Sequence, residues 1–428
     1  MKKEVSRRTK NGIDIYSYRN DNVHSFYISL FLRAGSMYES EEENGLTHFL
    51  EHALIRNVNS LMDDRLYSVL DASGVEFNAS TYSEMVQFYL SGAEKNFSLA
   101  AEVLAKLFSP IVLTPAEIRT ECDRIKAEIR ESDDRTALST YSQSIVHEGT
   151  PLARSILGNV GRISKVTRTR LEEYRRSVFV AGNVFVYVTG SFFDSDLDRL
   201  EELLSSVTLE EGVIHDNTAP VSRNFGKRDL KVHVKNADYT MLRFNFDMDM
   251  SRVPFGVDDL LYDILLGGYS SRFFMEMSER RGLLYDLSGA VERYRNIGTF
   301  FFTFEVRRGS VYEAVELVLA ILSQLTRTEP AEEECMKAAY VDNAPMLLDD
   351  PRELNFTFAY DNHMMCSSFS DISERSAAYA AITPEDIRRC ASLVFRAENL
   401  TLTMKGNKKK IDTSRIESII AKFANGEL

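Results

Sequence analysis

Val166 to Gly190 reads VTRTRLEEYRRSVFVAGNVFVYVTG, and Ile382 to Gly406 reads ITPEDIRRCASLVFRAENLTLTMKG, a shift of 216 positions. In each stretch, apolar residues at helical spacing give way to a turn at Asn183 or Asn399 and then to an alternating strand. Two further pairs keep nearly the same register. AAEVLAKLFS from Ala100 answers AVELVLAILS from Ala314 at a shift of 214, and TPAE from Thr114 answers EPAE from Glu329 at 215. The second pair places Pro115 and Pro330 in the first turn of a helix. Three matches in one order and one spacing indicate duplication. The chain therefore divides into homologous halves, 1–212 and 225–428, across the polar, aperiodic segment 213–224.

Outward from these repeats, the first half alternates both periods. Gly12 to Tyr18 and Phe26 to Arg33 are expected as strands, Asn44 to Asn59 and Asp63 to Ala72 as helices, and Val75 to Thr81 with Val86 to Ser91 as a hairpin. The expected class is α+β, each half a mainly antiparallel sheet packed with helices. The 428 residues suffice for two or three domains, and 44% hydrophobic with 27% charged residues fits a globular chain. A net charge of −13 repels phosphate, which argues against nucleic acid and anionic membranes as partners. No apolar run approaches the ~20 residues of a membrane span. Cys122, Cys335, Cys366 and Cys390 form no CxxC pair, and no apolar stretch follows the charged start, so reduced thiols and a cytoplasmic address are expected.

Within GLTHFLEHALIRN, His48, Glu51 and His52 stand at i, i+3 and i+4, on one face of a helix. Two imidazoles one turn apart can share a metal, and a carboxylate beside them can take a proton from water. The order H-x-x-E-H is the inverted zincin motif. A catalytic zinc ion takes a third protein ligand and keeps an open position. The candidates lie in TECDRIKAEIRE, where Glu121 and Glu128 are seven residues apart on one helix face.

These segments, with AGSMYE at Ala34 to Glu39, NGLTHFLEH at Asn44 to His52 and FNAST at Phe77 to Thr81, resemble the insulinase or pitrilysin family of inverted zinc metallopeptidases over essentially the whole chain. The resemblance implies two halves closing as a clamshell, with Zn2+ held by His48, His52 and Glu128, Glu51 as general base, and Glu121 supporting the site. It also implies that FNAST is an edge strand to which an extended peptide adds by β-augmentation, with Asn78 and Ala79 near the scissile bond.

A uniform shift of 215 carries His48 to Asp263 and Glu128 to Asn343, so the second half is expected to keep the fold without the ligands. In the family, that half supplies an arginine and a tyrosine seven residues apart to bind the peptide. Tyr285 matches the tyrosine, but Ser278 stands in the arginine's place, with Arg280 and Arg281 turned away by the helical angle. Ser278 cannot make a charge-assisted bidentate contact. Val86 and Phe88 replace the threonine and tyrosine common in relatives and are expected to alter pocket polarity. The resulting expectation is a zinc endopeptidase acting on peptides or unfolded segments. The alternatives are the zinc-bearing subunit of a two-protein processing peptidase and a non-catalytic peptide-binding partner, with a homodimer or a heterodimer with a paralogous chain as the assembly.

Overall fold

The computed structural model describes residues 3–428 apart from Thr136 and Tyr285, without the side chains of 133–135 and 137. Alternating and fully apolar stretches form two sheets. The first contains β1 (Val5–Arg8), β2 (Asp14–Arg19), β3 (Ser25–Leu32), β4 (Glu76–Thr81), β5 (Val86–Ala93) and β6 (Val184–Gly190), in the order β1-β2-β6-β3-β5-β4. The second contains β7 (Val232–Asn236), β8 (Met241–Asp249), β9 (Leu287–Arg293), β10 (Ile297–Glu305) and β11 (Leu400–Gly406), in the order β7-β11-β8-β10-β9. Pairing is antiparallel except β2 with β6 and β7 with β11. The one parallel pair recurs at the equivalent place in each sheet, which is what a duplicated α+β architecture requires.

The first half carries α1 (Leu46–Leu61), α2 (Leu66–Ser73), α3 (Phe97–Lys106), α4 (Pro115–Arg135) and α5 (Ala137–Val146). Leu46, Phe49, Leu50, Ala53, Leu54 and Val58 of α1 are buried in one core with Phe26, Ile28, Leu30 and Leu32 of β3. Val86 and Phe88 also lie in this core, so they pack the interior and do not set pocket polarity as expected.

The compact units do not coincide with the contiguous halves. One unit consists of 1–135, 154–217 and 345–372, the other of 136–153, 218–344 and 373–428. The break between Asn217 and Thr218 lies within the aperiodic join, but each half also contributes one segment to the other unit. In the first unit, the helix Pro351–Phe358 covers the sheet face opposite α1, where Asn355 Nδ2 donates to the Tyr187 carbonyl at 2.9 Å and Phe358 meets Tyr18 edge-on. In the second unit, α5 packs on β8 and β11, and Arg228, paired with Asp247 at 2.7 Å, donates to the Val146 carbonyl at 2.6 Å. Both faces of a central strand are apolar, so each sheet needs two covers, and here one cover comes from the other half of the sequence.

The repeat is also less regular than a constant shift. The counterpart of α4 is the short helix Glu333–Lys337, which starts three residues after Pro330, so this proline lies outside the first turn and Asn343 falls in a turn beyond the helix. No helix among the described residues is long and apolar enough to cross a membrane.

Candidate metal centre

The site is built on α1, whose start is fixed by backbone geometry and one buried carboxylate. Gly45, the N-cap, has φ +97°, and a Cβ there would lie 2.8 Å from the Cα of Gly158. Glu39, buried in AGSMYE, accepts from the Gly45 amide at 2.9 Å and the Thr47 amide at 2.7 Å. These would otherwise be orphan donors at the positive end of the helix dipole.

One turn on, His48 and His52 turn toward Glu128 of α4. His48 Nε2 lies 3.5 Å and His52 Nε2 3.6 Å from Glu128 Oε2. The three donor atoms lie within 4.8 Å of one another, the sole such group of three or more metal-ligating side chains among the described residues. Tetrahedral bonds of ~2.0–2.1 Å to zinc separate neighbouring donors by ~3.3–3.4 Å, so the donor set fits the ion. Burial, reinforced by the charge of His52, pushes the His48 imidazole down to about 3, which keeps it in the neutral form that ligates metal.

Behind His52, Glu121 is almost fully buried, with Oε2 3.5 Å from His52 Nδ1. Its other oxygen accepts from Arg56 at 2.9 Å and Arg124 at 3.0 Å. Burial alone would raise Glu121, but the His52 contact and both arginines outweigh it and hold it below the usual carboxylate range. Burial would likewise lower His52, and Glu121, Glu128 and Glu51 together carry it upward. Glu121 thus orients His52 through the nitrogen that faces away from Glu128.

Glu51 lies on the same face of α1 and is buried, which raises its pKa against the opposing hydrogen bond from Thr81 Oγ1. Thr81 ends β4, the outermost strand of its sheet, and the same strand carries Asn78 and Ala79. Asn78 Oδ1 accepts from the Ala79 amide at 2.8 Å. The candidate ligand triad, Glu51, Glu121, Asn78 and Ala79 therefore all fall in the first unit. Tyr285 lies outside the described residues. Ser278 lies in the π-helical turn Phe274–Glu279 of the second unit, where Arg280 pairs with Glu276 and Arg281 with Glu313.

The second unit contains an equivalent of the site in which two aspartates stand in place of the histidines. Gly256 caps the helix Val257–Leu265 with φ +75°, as Gly45 caps α1. Matching these glycines sets the local shift at 211, so Asp263 corresponds to His52, Asp259 to His48 and Tyr262 to Glu51. The uniform shift of 215 misaligned this helix because the connection before it is shorter. Arg293, the last residue of the edge strand β9, pairs with Asp258 and Asp259, as Thr81 at the end of β4 donates to Glu51. Tyr379 and Tyr340 donate to Asp259 and Asp263 at 2.7 and 2.9 Å. A guanidinium fixed to the chain thus occupies the neighbourhood that in the first unit is lined by the candidate metal donors.

Family models match residues 15–160 as insulinase (peptidase family M16) and residues 165–339 as the peptidase M16 inactive domain. The chain belongs to the M16 insulinase family. A Rickettsia felis protein named "uncharacterized zinc protease" is 27% identical over 419 residues, covering 96% of each chain. The beta subunit of the rat mitochondrial-processing peptidase is 27% identical over 193 residues, 45% of this chain and 39% of that one. The crystal structure of a protease from Helicobacter pylori superposes with a TM-score of 0.83 at 16% identity, covering 95% of this chain and 100% of that one. This M16 member thus has the two-half α+β fold of its structural neighbours. Thr81, Glu39 and Arg56 were not singled out from the sequence. All three lie inside the quoted motifs, and Arg56, four residues past His52 on α1, had its helical spacing as a signal.

Proposed function

We propose that this chain is a zinc-dependent endopeptidase that cleaves peptides or unfolded segments bound as an added strand on β4. One observation carries the reading: three donor atoms converge beside a buried carboxylate on one helix face, against the outermost strand of a sheet. When bound by His48, His52 and Glu128, zinc supplies Lewis acidity toward the scissile carbonyl and acidifies a water. Glu51 then accepts a proton from the attacking water at a carboxylate oxygen and delivers it to the leaving amine nitrogen, so that one C–N bond breaks as one C–O bond forms. Thr81 holds Glu51, and Glu121 holds His52. The backbone of β4 supplies hydrogen bonds that do not depend on substrate side chains, once Asn78 releases the Ala79 amide.

Ser278 favours a second reading, in which this chain is the zinc-bearing member of a pair and a paralogous chain supplies the missing cation. The family relationship to a processing-peptidase subunit supports it. The test is cleavage of unstructured peptides by the purified protein, metal-loaded and after chelation. Chelator-sensitive cleavage is expected, and cleavage that survives complete removal of the metal overturns the proposal. Activity that appears only on adding a paralogue selects the second reading.

A further inference from the structure

β4 has two faces. Phe77 and Ala79 pack against the core beside α1, and Thr81 reaches Glu51, so Glu76, Asn78 and Ser80 point to the opposite face. That face is lined by the segment that the second half of the sequence contributes to this unit. Near the start of β4, Arg352 Nη2 donates to Glu76 at 3.1 and 3.3 Å. Just past its end, the Phe356 ring lies 6.1 Å from that of Tyr82 and stacks on Tyr360 at 5.7 Å, with 11° between the planes. Tyr360 Oη donates to the buried carboxylate of Glu84 at 3.4 Å, which fixes the outer ring of the stack. Tyr82, Phe356 and Tyr360 are each only half-buried, so a cluster of three rings keeps apolar surface in contact with solvent beside an outermost strand.

An extended peptide added to β4 projects alternate side chains to this face, about 7 Å apart. We propose that Tyr82, Phe356 and Tyr360 form a specificity subsite for an aromatic or large aliphatic side chain of the bound strand, on the face away from the metal donors. The proposal rests on the reading that β4 receives the substrate and deepens it. The occupant is apolar because the rings offer stacking and apolar area while the nearby charges are already engaged, Arg352 by Glu76 and Glu84 by Tyr360. The second half of the sequence thereby contributes to selectivity through a helix that sits in the metal-bearing unit.

The test uses the full-length, zinc-loaded protein and a peptide series in which one position at a time is Phe, Leu, Gly, Arg or Asp. In the wild type, kcat/KM for Phe over Gly at one position is expected to reach about 10- to 100-fold. In Phe356→Ala and Tyr82→Ala that ratio should collapse toward one. A ratio unchanged by both substitutions, or a preference for Arg over Phe at that position, overturns the subsite. If Phe356→Ala fails to fold, Phe356→Leu gives a graded version of the same comparison. Binding of fluorescent versions of these peptides to Glu51→Gln separates the two levels. Phe-dependent binding that requires Phe356, in a protein whose wild type cleaves nothing, sinks the peptidase reading and keeps the subsite. Cleavage whose Phe/Gly ratio ignores Phe356 does the reverse.

Discussion

Glu51 and Glu121 are both buried carboxylates within reach of His52, yet their surroundings push them in opposite directions. Burial raises Glu51, which has a hydroxyl donor in Thr81, whereas two arginines and His52 hold Glu121 ionised. The two roles can therefore be separated experimentally. Glu51→Gln should retain about one zinc per chain by elemental analysis while kcat falls by ~10²–10⁴, the usual contribution of a positioned general base. Glu121→Gln leaves Glu51 in place but loosens His52, so zinc affinity should fall ~10–100-fold in a competition titration. At saturating zinc, much of its turnover should return, a rescue that Glu51→Gln cannot show. The ligand pair and Glu51 were legible in the sequence because i, i+3 and i+4 spacing on a helix fixes a shared face. Thr81 was not, because its contact with Glu51 depends on how far the end of β4 reaches toward α1, which no local pattern encodes.

At the scale of elements, the start of α1 is held by Glu39 and by the contact of Gly45 with Gly158. Gly45→Ala would place a methyl carbon 2.8 Å from a backbone Cα at φ +97°, so it should cost about 2–4 kcal/mol, read as a lower melting temperature together with weaker zinc retention. Helices and strands of the first half were readable from their periods. The misplacement of His48 opposite Asp263 came from a shortened connection, and only the two capping glycines reveal it. The segment that includes α5 gives a prediction about acid stability. His147 is buried near Arg228, and burial pushes its pKa down from 6.5 to about 4. The unfolded chain therefore binds the proton first. The stability due to the neutral imidazole is fully present above pH 6.5 and is lost as pH falls toward 4, by about 3 kcal/mol. His147→Gln should reduce the slope of the denaturation midpoint between pH 6.5 and 4, and an equally steep dependence would count against this assignment.

For the whole molecule, the duplication was visible as three matching shifts, but the exchange of segments was not. An amphipathic helix such as Pro351–Phe358 shows which of its faces is apolar, not which of two similar sheets it covers. The consequence can be tested on a fragment. Residues 1–217 carry every proposed metal ligand but lack 345–372, so the face bearing Tyr16, Tyr18, Phe31, Phe185 and Tyr187 would lose its cover. That fragment should bind a hydrophobic dye and resist refolding, and a synthetic 345–372 peptide added in trans should reverse both effects. A fragment that folds cooperatively by itself would contradict the exchange.

The same exchange sets an order of assembly during translation. The unit that contains the candidate metal site is not complete when its own half has been made, because its last cover ends at residue 372, about 155 residues after Asn217. At ribosomal rates of ~5–20 residues per second, the aromatic face of its sheet waits roughly 10–30 s for that cover. During this interval the nascent chain presents a client surface for chaperones, and zinc captured early would be held by a half-built site.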